Sequence, residues 1–304
     1  MLEAVVVAVR WLQYGGAVVL LGLPLFILYS FKGSRAPSLT WARPMLIAAA
    51  VVVALGSLAA LVAQTAVMAG SLSEAVKPAS LSFMVAGTAL GMAMAARAAL
   101  AVIGLAIILA LRPGRTLWSL TVVIGLVVAA SFAWTGHGAA TAGPGGTLHL
   151  VADIMHAVAA AVWFGALAAF MALLLRRQSS DDTEIYRSLH RFAGLGTSAV
   201  AVLVFTGLVN SWFLIGPARV GELPNSLYGQ LLIAKLGLFA LMLVLAAGNR
   251  FTLTPRLGVA LSGGEDSRPA LRRLRHSILA ETAVGALLLA AVSIMGILAP
   301  PSAM

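Results

Sequence analysis

Long apolar stretches recur along nearly the whole chain. A hydrocarbon core of roughly 30 Å is crossed by about 20 helical residues, so each stretch reads as a membrane-spanning helix. Barrel strands would be about ten residues long and would alternate in polarity, which these do not. Only 10% of the 304 residues are charged and 61% are hydrophobic, with a mean hydropathy of +1.01. A soluble domain would carry about 25% charge. The expected fold class is all-α, a polytopic membrane helix bundle forming one integral membrane domain over residues 1–304.

Eight spans are expected, at about 4–30, 43–69, 81–111, 117–136, 148–175, 192–215, 229–249 and 277–298. Breakers separate them: Pro37 and Pro44, Pro78, Pro113-Gly114, Gly143-Pro144-Gly145-Gly146, Pro217, Pro224, Pro255, Gly263-Gly264 and Pro300-Pro301. The third stretch is longer than a span requires and carries Arg97 near its middle, which predicts a tilted helix or a short lead-in segment. The first is long enough to span and no small-residue cleavage site follows it, so it reads as a helix rather than a signal peptide.

The net charge of +10 marks topology. Fifteen of the Lys and Arg residues, from Lys32 and Arg35 through Arg177 to Arg275, fall in the loops after spans 1, 3, 5 and 7, whereas the opposite loops hold only Lys77 and Arg219, a count of two. Positive loops stay in the cytoplasm, so both termini are expected in the periplasm. No separate basic domain exists to bind nucleic acid. The chain has no cysteine, so disulfides and thiolate ligands are excluded and soft-metal chemistry must use His, Met or carboxylate.

Polar groups inside a bilayer are costly and mark functional sites. With this topology most fall in the outer half: Gln13 and Tyr14 on span 1, Met68 on span 2, His137 beyond span 4, His149, Asp153 and His156 on span 5, Asn210 on span 6 and Lys235 on span 7. The inner half holds chiefly Asn249 and Glu281. His149, Asp153 and His156 are spaced by four and three residues, which puts them on one helical stripe. That stripe covers about 10 Å, suited to a ligand pair with a carboxylate orienting an imidazole. Imidazole and carboxylate suit Cu(II) or Zn, and thioether suits Cu(I), so Met68, Met84 and Met155 are auxiliary candidates, each with ordinary packing as the alternative. Lys235 and Arg97 are candidates to offset Asp153 or to hold the bundle together. Glu281 suits a proton or ion relay, or a partner to Arg97. His190 and His276 sit among basic residues and read as solvated interface positions.

These residues resemble a known pattern: Gly136-His137-Gly138, then His149, Asp153, His156, Trp163 and Gly165, followed by Thr206-Gly207 with Asn210, Tyr228-Gly229-Gln230-Leu231-Leu232, Lys235, Asn249-Arg250 and Pro255-Arg256. The chain resembles the bacterial copper-resistance protein D (CopD) family, most closely over residues 190–298. The resemblance implies a copper-handling protein of the bacterial inner membrane that moves copper ions from periplasm to cytoplasm. It also implies a small periplasmic copper carrier of the CopC type, here as a separate partner. Three positions depart from the family: Gln13 stands where relatives often carry His, Asp153 at a position that can be His, and, of minor weight, Gly138 where Ala is frequent.

Other functions compete. A b-type cytochrome needs two axial His at matching depth on facing helices, whereas His149 and His156 share one helix. A subunit that receives or senses copper without moving it would bind the ion and show no flux. No HExxH, nucleophile elbow or phosphate-cradling motif is present, so an enzyme is not expected.

Overall fold

The computed structural model describes residues 2–31, 39–141, 143–176, 182–264 and 266–303. Lys32, Arg35, Pro37 and Arg177 lie outside the described residues. The chain forms α1 (Leu2–Ser30), α2 (Ala42–Ala69), the short α3 (Leu72–Ala75) and α4 (Pro78–Gly87), then α5 (Ala89–Ala110) and α6 (Arg115–Ser131). It continues through α7 (Gly146–Leu175), α8 (Asp182–Leu214), α9 (Leu227–Gly248), α10 (Thr254–Ser262) and α11 (Arg268–Met295). No strand occurs among the described residues. Eight of these elements are long and apolar enough to cross a membrane, with α9 and α10 counting as one continuous span over Leu227–Ser262.

Helix α1 is the hub, packed against α2, α6, α7, α8 and α11. It approaches α7 closely because Gly22 faces Gly165: a Cβ on Gly22 would lie 2.5 Å from both the Ala161 carbonyl oxygen and Gly165 Cα. Between helices in lipid, where no hydrophobic drive exists, such small residues let backbones meet and dispersion hold them. Further along, Phe26 packs edge-on against Phe170 with ring centroids 4.7 Å apart, joining the largest apolar core. Trp11 near the start of α1 donates from Nε1 to the Ala286 carbonyl on α11 at 3.0 Å. Arg10 lies against Gly296 just past α11, so the two ends of the chain share one end of the bundle.

Four expected spans differ from the structure: the sixth and eighth begin earlier, at Asp182 and Arg268 rather than at 192 and 277, and the third and seventh differ in continuity. The third is not one helix over 81–111. Thr88 is extended, at φ −133° and ψ 139°, and its hydroxyl caps α5 by accepting from Gly91 N at 2.9 Å while donating to the Met84 carbonyl at 2.7 Å. A hydroxyl that serves both segments ends α4 and starts α5, so the short lead-in segment is the observed alternative. The seventh, expected over 229–249, continues past Pro255 to Ser262. A single π turn, Asn249–Leu253, carries α9 into α10, with Pro255 in the first turn of α10. Proline lacks an N–H, and a widened turn ahead of it absorbs the unpaired carbonyl without ending the helix.

Candidate functional site

The polar side chains at the end of the bundle that holds both termini surround a cavity of about 220 Å³. Helix α7 supplies His149, Asp153 and His156, and the segment after α6 supplies Gly136, His137 and Gly138. Arg10 and Tyr14 of α1, Asn210 and Ser211 of α8 and Tyr228 and Lys235 of α9 complete the polar wall and rim, with Met295 of α11 beside them. All four residues expected as metal ligands, together with Asn210 and Lys235, therefore line one space. Met68, Met84, Met155, Gln13 and Glu281 are absent from its lining. Met84 is packed in a small apolar cluster with Leu61 and Met94. Met68 and Met155 are exposed on the outside of the bundle.

Local packing orients each imidazole. His149 is buried, stacked on Phe213 of α8 with centroids 4.8 Å apart and planes 8° from parallel, and its Nδ1 lies 2.6 Å from Thr141 Oγ1. His156 Nδ1 lies 2.9 Å from Thr206 Oγ1. The Thr206 hydroxyl spends its one proton on the Val202 carbonyl at 2.6 Å, so toward the ring it is an acceptor. The proton of a neutral His156 is thereby assigned to Nδ1, and Nε2 carries the lone pair. A metal-binding histidine is commonly prepared in this way, its other nitrogen donating to a fixed oxygen.

Asp153 is gripped from the loop side. A Cβ on Gly138 would sit 2.8 Å from Asp153 Oδ2 and 2.9 Å from its Cβ, and one on Gly136 would sit 3.3 Å from Oδ2. The two glycines of Gly136-His137-Gly138 thus let the backbone close onto the carboxylate. From α8, Asn210 Nδ2 donates to Asp153 Oδ1 at 3.5 Å, while Asn210 Oδ1 is buried without a partner. His137 Nε2 lies 3.5 Å from the Met295 carbonyl, and its ring meets Tyr228 edge-on. His137 lies outside the spans. Burial holds its imidazole below the ordinary range, the Met295 carbonyl opposes this, and the Arg10 charge adds to it. Among the described residues no group of three or more His, Asp or Glu converges tightly enough to hold a metal ion; the groups ring the cavity instead.

Arg97 does not pair with Glu281 and forms no ion pair among the described residues. It is buried behind the cavity, where Nε donates to Ser131 Oγ at 2.8 Å and Nη2 to the Ser131 carbonyl at 2.9 Å and to Thr135 Oγ1 at 3.2 Å. Nη1 donates to Gln13 Oε1 at 3.3 Å, and the guanidinium lies 3.7 Å above the Phe132 ring. This fan of neutral acceptors anchors the turn Phe132–Thr135 that leads into His137. Glu281 instead accepts from Asn249. Thr141 and Phe213 carry no signal in the sequence, and Thr206, though part of the Thr206-Gly207 pair, is not marked there as a partner of His156, because an uncharged hydroxyl or ring on another element has no fixed spacing from a histidine. His190 and His276 are exposed, as expected.

Below His156 the cavity floor is apolar. Phe164 lines it and fills the space beside Gly285, where a Cβ would meet Phe164 Cε1 at 2.6 Å. Trp163, Met242 and Leu288 share one buried cluster beneath it.

Residues 1–147 match the N-terminal domain described as copper resistance protein D-like, and residues 186–295 match the family copper resistance protein D. The chain is 38% identical over 304 residues to copper resistance protein D of Pseudomonas syringae pv. tomato, covering 97% of this chain and 96% of that protein. It is 31% identical over 247 residues to copper transport protein CutJ of Bacillus subtilis (strain 168), covering 78% of this chain and 44% of that one. Inner membrane protein YebZ of Escherichia coli (strain K12) is 27% identical over 169 residues, 55% of each chain. No solved structure matches. With likeness to one relative running almost end to end, and both family segments present in order, the chain belongs to the copper resistance protein D family.

Proposed function

We propose that this protein takes a copper ion into the cavity from the periplasm and passes it across the bacterial inner membrane to the cytoplasm. The observation that carries the reading is the convergence of His137, His149, Asp153 and His156 on one cavity at the end of the bundle that holds both termini. The balance of basic residues supports placing that end in the periplasm. His156 offers Nε2, His149 is held by Thr141 and Phe213, and Asn210 Oδ1 adds an unpartnered oxygen. Imidazole with oxygen suits Cu(II). Permeation requires binding weak enough to release the ion, which agrees with groups that ring the space. A separate periplasmic carrier of the CopC type is the proposed donor, and copper is cargo rather than a resident cofactor. Nothing in this reading requires an enzymatic step.

Copper uptake into proteoliposomes of known orientation tests it, comparing wild type, the His149→Ala/His156→Ala double variant and empty vesicles. Uptake above empty vesicles that the double variant loses is the expected result. The apolar floor of Trp163, Phe164, Met242 and Leu288 favours one second reading, a subunit that receives copper without conducting it. Stoichiometric copper binding with no wild-type uptake would replace the transport reading with that one. A haem protein finds less support, since His149 and His156 lie on one helix and axial ligation calls for two histidines on facing helices.

A further inference from the structure

We propose that Glu281 and Asn249 form a proton-binding site, in which a neutral carboxylic acid is closed into a two-bond ring with the asparagine amide. Glu281 is 2% exposed and Asn249 8% exposed, and Asn249 Nδ2 donates to Glu281 Oε2 at 2.8 Å. The remaining atoms of the two groups, Glu281 Oε1 and Asn249 Oδ1, are both buried and both lack a partner. Two acceptors cannot bond each other without a hydrogen, and buried acceptors are rarely left open. A single proton on Oε1, donated to Oδ1, satisfies both at once. A hard cation such as Ca²⁺ or Mg²⁺ calls for about six or more oxygens, and only two are open here.

No charge stands ready to neutralise an ionised Glu281. Among the described residues it forms no ion pair. On α11, Arg275 and His276 are exposed. Arg250, next to Asn249, is exposed and donates to the Ala193 carbonyl and to Thr197 Oγ1 on α8. Lys235 on α9, His156 on α7, and Arg10 and Tyr14 on α1 all line the cavity. From α7 the uncharged indole N–H of Trp163 faces the carboxyl group without closing a hydrogen bond to Oε1. An isolated carboxylate so placed is strongly disfavoured against its neutral acid.

Asn249 opens the π turn, an irregularity that recurs at functional sites because it re-aims a side chain that a regular helix would place elsewhere. The pair lies about 10 Å along α11 from the cavity floor at Leu288, separated from it by Phe164 and Met242 packed at Gly285. The site is thus distinct from the cavity, and the inference does not rest on the copper reading.

Infrared spectroscopy of the purified protein in H₂O and D₂O tests it, with Glu281→Gln and Asn249→Ala as variants. At neutral pH the wild type should show a protonated-carboxyl C=O band, shifted by deuterium, that Glu281→Gln lacks. In Asn249→Ala the band should move to higher frequency as its amide partner is lost. A wild-type minus Glu281→Gln spectrum containing only ionised-carboxylate bands would overturn the proposal. If Glu281→Gln does not fold, a band that Asn249→Ala leaves unmoved would overturn it equally.

Discussion

Thr206 holds His156 across the α7–α8 contact, with His156 Nδ1 2.9 Å from Thr206 Oγ1 and the hydroxyl proton directed to the Val202 carbonyl at 2.6 Å. The imidazole is thereby fixed both in rotation and in tautomer. Replacing Thr206 with Val keeps the volume and removes the acceptor. Copper affinity should fall by about 10- to 100-fold, the usual effect of losing a group that orients a ligand. Competition against a chelator of known affinity measures it, and unchanged binding would show that His156 needs no such support.

His137 should bind copper to lower pH than a solvated histidine. Burial lowers its affinity for protons, and Arg10 acts in the same direction. Its lone pair therefore survives as pH falls through about 6.5, where an ordinary imidazole protonates. The affinity difference between wild type and His137→Gln should persist below that pH, and Arg10→Gln should move its loss to higher pH. Copper titrations across a pH series decide the point; loss of the difference at or above the ordinary range would contradict it.

Arg97 is satisfied by Ser131, Thr135 and Gln13 and covered by Phe132. Lysine is a point charge without the planar fork. Arg97→Lys should leave buried acceptors unpaired at a cost of about 1–3 kcal/mol and loosen the turn that carries His137. Thermal unfolding in detergent should show the loss together with weaker copper binding. Stability equal to wild type would mean that the fan of contacts is dispensable.

Gly22 and Gly165 set the separation of α1 and α7. Gly22→Val must push the helices apart or strain them, and overpacking of this kind costs about 1–3 kcal/mol. A lowered melting temperature and a smaller folded fraction by size-exclusion chromatography are expected, with Gly15→Val, where a Cβ meets nothing within 4 Å, close to wild type.

Phe164→Ala tests the floor of the cavity. Removing the ring that separates the cavity from the space beside Gly285 should raise copper flux in proteoliposomes if the protein conducts, while binding at the cavity persists. No change in flux would place the limiting step elsewhere.

Much of this protein was written in its sequence. A run such as Ala42–Ala69 has almost nothing polar to satisfy except through its own backbone, and in lipid only a helix does that. The stripe of His149, Asp153 and His156 followed from helical periodicity alone, because all three belong to one element. The sequence could also mark Lys235 and Asn210 as unusual, since a polar group in an apolar run stands out against its neighbours. What periodicity cannot give is a distance between helices. That Arg97 turns to Ser131 and Gln13 rather than to Glu281, that Met155 faces outward, and that Thr206 sets the tautomer of His156 depend on how helices rotate and cross. Those rotations are decided by small contacts such as Gly22 on Gly165 and by which acceptors a buried donor can reach. Local sequence thus determined the helices and the depth of their polar groups; only tertiary packing decided which of those groups meet, because hydrogen bonds and close contacts are formed between elements far apart in the chain.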